Sequence, residues 1–187
     1  MPLLDESALA DDRRRVARMA AGDRGALQEL YQARVRDIHG VVARILGDPE
    51  EVREAVQDTF IRAWRQAGEY RAERGEVFGW LVHIARNGSI DRLRRIGRRR
   101  SVLVGWAGAR DSADGLDAAI SDPADDRREW LDHHLGQLSD AQRRALELAF
   151  YGGYTQEEIA QRLQTSVGNV KNHLRRGLLK LRQKVLP

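Results

Sequence analysis

The sequence predicts an all-α chain: two small helical domains joined by a flexible linker. Three observations lead there. Apolar residues in the first hundred positions, and again from residue 127, recur at steps of three and four, the spacing of one helix face. No part of the first hundred residues alternates apolar with polar as a half-buried strand would. From about residue 101 to 126 the period fails and Gly, Ala, Ser and Asp dominate, which is linker composition. A length of 187 residues with 42% apolar residues allows either one domain or two small ones with packed cores.

The elements follow in chain order. The N-terminal MPLLDESALADDRRR is acidic before it is basic and lacks an apolar core, so it is no signal peptide, and no element is assigned to the first 20 or so residues. Over residues 24–46, Leu27, Leu30, Tyr31, Val35, Ile38, Val41, Val42 and Ile45 describe one helix face, which Gly47 ends. Asp48-Pro49 opens the next helix, with Asp as cap, Pro at the first position and Glu51 in capping-box register. Val52, Val56, Phe60 and Trp64 follow at strict i+4 spacing. Residues 68–75 read as a loop. A further helix from about Glu76 carries Trp80, Leu81, Ile84, Ala85 and Leu93 mostly on one side. Together these helices predict a bundle.

Helical signals resume at Arg127, where Trp130, His134 and Leu138 share a stripe. Ser139 with Gln142 forms a capping box, and Leu146, Ala149 and Phe150 continue inward. Tyr151-Gly152-Gly153 breaks that helix, and Thr155 with Glu158 caps a short one bearing Ile159, Ala160 and Leu163. Gln164-Thr165-Ser166 makes a tight turn. The last helix carries Val167, Val170, Leu174, Leu178, Leu181 and Val185 as an apolar seam.

Charge is segregated along this plan. The formal net charge is +4. Residues 86–100 hold seven arginines and one acid, and residues 165–187 hold six basic residues and no acid. Between them, residues 105–129 hold seven acids and three arginines. Two basic blocks around an acidic stretch fit contact with a polyanion, provided the blocks lie on folded elements.

Other chemistries find little support. With no cysteine there are no disulfides, thiolate nucleophiles or Cys-based zinc sites. No apolar run approaches the roughly 18 residues of a membrane span, so a cytoplasmic protein is expected. The histidines are His39, His83, His133, His134 and His173; the adjacent pair points about 100° apart on a helix and does not share a metal. No HExxH, phosphate-binding glycine loop or nucleophile elbow occurs, so neither an enzyme, a metal nor a cofactor is expected.

A short helix, a tight turn and a longer helix packed through Ile159, Ala160 and Val170 make a helix-turn-helix. The second helix turns Asn169, Lys171, Asn172, Arg175 and Arg176 away from the seam. Arg pairs with guanine O6/N7 and Asn with adenine N6/N7, so this is a base-reading face. In the N-terminal half, Arg86, Asn87, Asp91, Arg92, Arg94 and Arg95 lie opposite Trp80, Leu81 and Ile84. Arginines 94, 95 and 98–100 can grip phosphates without sequence choice, and the two-sided Asn87 amide can read an unstacked base.

These segments resemble a known family. DPEEVREAVQDTFIRAW at 48–64 and FGWLVHIARNGSIDRLRR at 78–95 resemble region 2 of the extracytoplasmic-function (group IV) sigma factors of the sigma-70 family. LSDAQRRALELAFYGGYTQEEIAQRLQTSVGNVKNHLRRGLLKLR at 138–182 resembles their region 4. The resemblance implies region 2 over residues 1–100, an acidic linker over 101–126 and region 4 over 127–187. It implies a subunit that binds bacterial core RNA polymerase, through the clamp of the largest subunit and the flap of the second-largest, and directs it to promoter DNA. By the same resemblance, Gln57, Asp58 and Arg62 face the polymerase. Asn87 and Asp91 read the −10 element, with Arg92 and Arg95 beside phosphates, and Lys171, Asn172, Arg175 and Arg176 read the −35 element. An anti-sigma factor is the implied regulator. Gly168-Asn169-Val170 stands where the family commonly has Gly-Thr-Val. The helix-turn-helix is also similar to that of LuxR-type transcriptional regulators; that alternative would require alternating strands and helices in the N-terminal half.

Overall fold

The computed structural model describes residues 6–104 and 136–185, with side chains at 6–97 and 136–182. The expected helix at 127, Trp106, Trp130 and the His133-His134 pair lie outside the described residues. Two compact units emerge, one N-terminal and one C-terminal. Every regular element among the described residues is helical.

The N-terminal unit begins with a helix for which no element had been assigned, α1 (Glu6–Ala20). Its inward face is Asp12, Val16 and Met19. Gly22 ends it in the left-handed region (φ 89°), and the amides of Gly22 and Asp23 donate to the carbonyls of Met19 and Arg18 at 2.9 and 3.0 Å. That pairing is a Schellman motif. Asp23 then caps α2 (Arg24–Leu46), its carboxylate accepting from the amides of Gly25 and Ala26. One residue thus closes one helix and opens the next, which sets the angle between them.

Arg18 also hydrogen-bonds the Asp23 carboxylate; this bond, helped by the two amides, holds the carboxyl below its ordinary range. A folded-state pKa that is depressed gives stability present above the unfolded pKa and lost as pH falls through the folded value. The melting difference between the wild type and Asp23→Ala is therefore expected to be clear at neutral pH and to shrink under strongly acidic conditions. A difference that persists at low pH would show that the charge contributes nothing.

In α2, Leu30, Ile38, Val42 and Ile45 are buried as expected. Tyr31 stays 42% exposed, its ring edge-on to Phe60 at 4.9 Å. Gly47 (φ 71°) ends the helix, and Asp48 caps α3 (Pro49–Gln66) by accepting from Glu50 and Glu51 amides at 3.0 Å. The Glu51 carboxylate is turned to Arg92. Two short 3₁₀ turns, Ala67–Glu69 and Ala72–Arg74, fill the expected loop, tied by the Tyr70 hydroxyl donating to the Gly75 carbonyl at 2.9 Å. The last helix, α4 (Val77–Val104), runs four residues into the stretch read as linker.

The core joins all four helices: Val16 and Met19 of α1; Leu30, Ile38 and Val42 of α2; Val52, Val56 and Phe60 of α3; Val77, Leu81, Ile84 and Ala85 of α4. One ion pair is sealed within it. Arg34 donates through Nε to Asp12 Oδ2 at 2.6 Å, with side-chain exposures of 5% and 1%. Arg15 takes the other carboxylate oxygen at 2.8 Å.

The C-terminal unit has three helices: α5 (Asp140–Phe150), α6 (Gln156–Arg162) and α7 (Val167–Val185). Both expected capping boxes form, Ser139 with Gln142 and Thr155 with Glu158. Gly153 (φ 62°) lets the chain turn between α5 and α6. A second Schellman pairing closes α6: the Gln164 and Thr165 amides donate to the Gln161 and Ala160 carbonyls at 3.3 and 2.9 Å. Here Gln164 itself occupies the left-handed region (φ 50°).

Ala145, Ile159, Ala160 and Val170 form the buried centre, flanked by Leu148, Leu163 and Leu174. The expected seam of α7 needs one correction. Leu178 is 57% exposed. Gly177 is buried instead, and an added Cβ would lie 2.7 Å from Leu146 Cδ1, so the leucine tip would have to shift to admit it. α5 and α7 approach closely at that point, so Gly177 and Leu146 carry the contact assigned to Leu178.

Candidate nucleic-acid and partner interfaces

In the C-terminal unit, the turn that starts α7 is held by side chains. Ser166 Oγ accepts from the Asn169 amide and Asn169 Nδ2 donates to Thr165 Oγ1, both at 3.1 Å. Asn169, at the departure from the family's Gly-Thr-Val, therefore buttresses the turn. Lys171, Asn172, Arg175 and Arg176 are all exposed. At 100° per residue the four span an arc of roughly 140°. Val170, Leu174 and Gly177 lie on the other side, packed inward. Nothing among the described residues neutralises these three cations, so a convex positive face stands open at the start of a helix. That arrangement suits entry into a major groove.

In the N-terminal unit the expected residues fall on two adjacent helices. Gln57, Asp58 and Arg62 are exposed on α3, and Asn87, Asp91 and Arg95 are exposed on α4. The two sets meet. Asp58, Arg62, Arg92 and Arg95 line one shallow cleft between the helices, whose floor includes Gly88. Arg62 lies over Gly88, where an added Cβ would sit 3.2 Å from Nη1. Gln57 is outside that cleft.

Arg92 differs from its expected setting. Its side chain is 14% exposed and turned to α3, within 2.7 Å of Glu51, 2.8 Å of Glu54 and 3.4 Å of Asp58. Desolvation alone would lower its pKa; the hydrogen bonds and charges of Glu54 and Glu51 outweigh it and hold the guanidinium above its ordinary value. Arg86, half-buried on α4, is pushed the other way, first by desolvation and then by the like charge of Arg94. A phosphate near Arg86 and Arg94 would relieve that repulsion.

Asn87 is held on both sides. Its Oδ1 accepts from Arg86 Nη1 at 3.2 Å, and its Nδ2 lies 3.1 Å from His83 Nε2. Glu54 had not been singled out, Glu51 had been read only as a capping residue, and His83 only as one of five histidines. The i+4 spacing of His83 and Asn87 on one helix was the available signal; the pairing of Glu51 and Glu54 with Arg92 spans 41 and 38 residues and left none.

No group of three or more His, Asp or Glu side chains that could hold a metal occurs among the described residues. No helix among them is long and apolar enough to cross a membrane.

Comparison with known proteins decides the family. The sigma-70 region 2 family matches residues 30–99, and the sigma-70 region 4 family matches residues 128–181. The chain is 35% identical over 167 residues to the ECF RNA polymerase sigma factor SigK of Mycobacterium ulcerans (strain Agy99), covering 88% of both chains. The chain belongs to the ECF RNA polymerase sigma factors.

Its similarity to SigK of Mycobacterium tuberculosis (strain ATCC 25618 / H37Rv) is 33% over 168 residues, again 88% of each. Among solved structures, CnrH in complex with the cytosolic domain of CnrY aligns over 94% of this chain and 97% of that one, at 24% identity and a TM-score of 0.44. The LuxR-type alternative falls with this assignment and with the N-terminal unit, where the described residues form helices where alternating strands were required. The region 2 match overlaps α2 to α4, and the region 4 match overlaps α5 to α7.

Proposed function

We propose that this sigma factor directs core RNA polymerase to promoters by presenting two separate reading helices to one DNA, α4 to the −10 element and α7 to the −35 element. The observation that carries the reading is that each unit turns one helix outward with Asn, Arg or Lys side chains while burying the opposite face. The protein itself needs no catalytic group. It supplies binding energy, and each bidentate base contact contributes about 1–3 kcal/mol of discrimination. Tethering makes the second contact effectively intramolecular.

In this reading Lys171, Asn172, Arg175 and Arg176 meet the −35 duplex in the major groove. Asn87 reads an unpaired −10 base, Asp91 flanks it and Arg95 meets a phosphate. Gln57, Asp58 and Arg62 face the clamp of the largest polymerase subunit, and the C-terminal unit rests on the flap of the second-largest. Arg92 takes a different part: bound by three acids, it ties the polymerase-facing helix to the DNA-facing one. Regulation by an anti-sigma factor that covers these surfaces completes the proposal, which places the protein in the cytoplasm with polymerase.

The test is run-off transcription with purified core polymerase and a genomic promoter library. Discrete transcripts sharing two upstream elements are expected only when the protein is added. Transcripts unchanged by its addition would overturn the proposal.

A further inference from the structure

We infer that His83 is a positioning residue which, with Arg86, locks the Asn87 amide in one of its two orientations and so sets whether the −10 helix accepts an amino base or a keto base. The inference rests on the reading of Asn87 as a base-reading residue.

His83 and Asn87 lie one turn apart on α4, both exposed. Asn87 Nδ2 lies 3.1 Å from His83 Nε2, and Arg86 Nη1 donates to Asn87 Oδ1 at 3.2 Å. With the amide oxygen turned to Arg86, the amide nitrogen faces His83 and donates, an arrangement that calls for Nε2 as acceptor, that is, the Nδ1–H tautomer. A guanidinium only donates, so it requires the amide oxygen. Arg86 thus fixes which end of the amide is the oxygen, and His83 holds the other end. A half-turn of the amide would set its NH2 against the guanidinium, which cannot accept, and the imidazole could keep its bond only by moving its proton from Nδ1 to Nε2.

Once both bonds are made, Asn87 still offers one N–H and one oxygen lone pair to a ligand. Adenine and cytosine present an exocyclic amino donor beside a ring-nitrogen acceptor. Guanine and thymine present an exocyclic keto acceptor beside a ring N–H donor. An amide in a fixed frame matches one class in one orientation and the other class after a half-turn. A freely turning amide matches both. Discrimination between the classes therefore depends on whatever holds the amide, and on this helix that is His83 and Arg86.

The experiment uses the full chain with core polymerase on a promoter carrying each of the four bases at every −10 position. Wild type is expected to prefer one base class over the other at one position by about tenfold, the scale of one bidentate contact. His83→Leu removes the acceptor and should reduce that preference to about threefold or less, with transcription from the disfavoured class rising relative to the favoured one. His83→Gln restores a carbonyl acceptor and should retain the wild-type preference; a purely structural role for His83 would not produce that rescue. An unchanged preference in His83→Leu, or a His83→Gln that behaves like His83→Leu, overturns the inference. Asn87→Ala separates the two levels. If it leaves every −10 preference unaltered, the reading of Asn87 fails and takes this inference with it. If it abolishes the preference while His83→Leu does not, only the inference fails.

Discussion

Asp12→Ala is expected to lower the stability of the N-terminal unit by about 3–5 kcal/mol, the scale for breaking a buried ion pair. Asp12 is 1% exposed and accepts from Arg34 at 2.6 Å and from Arg15 at 2.8 Å. Removing the carboxylate leaves Arg34, itself 5% exposed, with Asp37 at 3.6 Å and the Phe78 ring at 5.9 Å. The cost is that of an uncompensated buried cation and not the worth of one bond. The consequence is local before it is global. α1 meets α2 through this pair together with Val16 and Met19, so its amides should exchange faster than those of α3 and α4. Urea unfolding combined with hydrogen exchange checks both statements. The double variant Asp12→Leu, Arg34→Leu should recover most of the loss, because it buries no charge. A loss below about 1 kcal/mol in Asp12→Ala would place the pair among ordinary surface bridges.

The second large effect belongs to the reading face of α7. Arg175→Ala and Arg176→Ala are each expected to weaken initiation at promoters with an intact −35 element, by roughly five- to 150-fold where the side chain reads a base. At promoters whose −35 element is scrambled, neither should cost anything further. Lys171→Ala should behave differently if it meets a phosphate: binding falls across all sequences and the slope of log affinity against log salt drops by about one. All three side chains are exposed, so the fold should be retained. Equal losses on intact and scrambled −35 elements would show that α7 does not read sequence there.

Much of this architecture was legible in the sequence because the signals were local. Asp48-Pro49, Ser139 with Gln142 and Thr155 with Glu158 cap helices through neighbours two or three residues away. The α2 and α3 stripes needed only the helical period. α1 was not legible, because the residue that docks it is charged. Asp12 interrupts the apolar count on α1 and Arg34 interrupts it on α2, and only their pairing across 22 residues explains both. Leu178 misled for the opposite reason: periodicity treats every Leu in the seam as buried, whereas close approach at Gly177 shifts the contact by one residue. The exposed candidates of α3, α4 and α7 were legible as polar faces opposite apolar ones. The tie between Arg92 and Glu51, Glu54 and Asp58 was not, since it depends on how α3 packs on α4.

The central claim is that two outward helices of one sigma factor engage two separate stretches of the same promoter. Site-specific photo-crosslinking from positions 87 and 172, in the complex with core polymerase on a single promoter fragment, tests it most directly. The account predicts that position 87 labels the non-template strand at the −10 element and position 172 labels the duplex at the −35 element. Labelling of one common site from both positions, or of neither element, would contradict it.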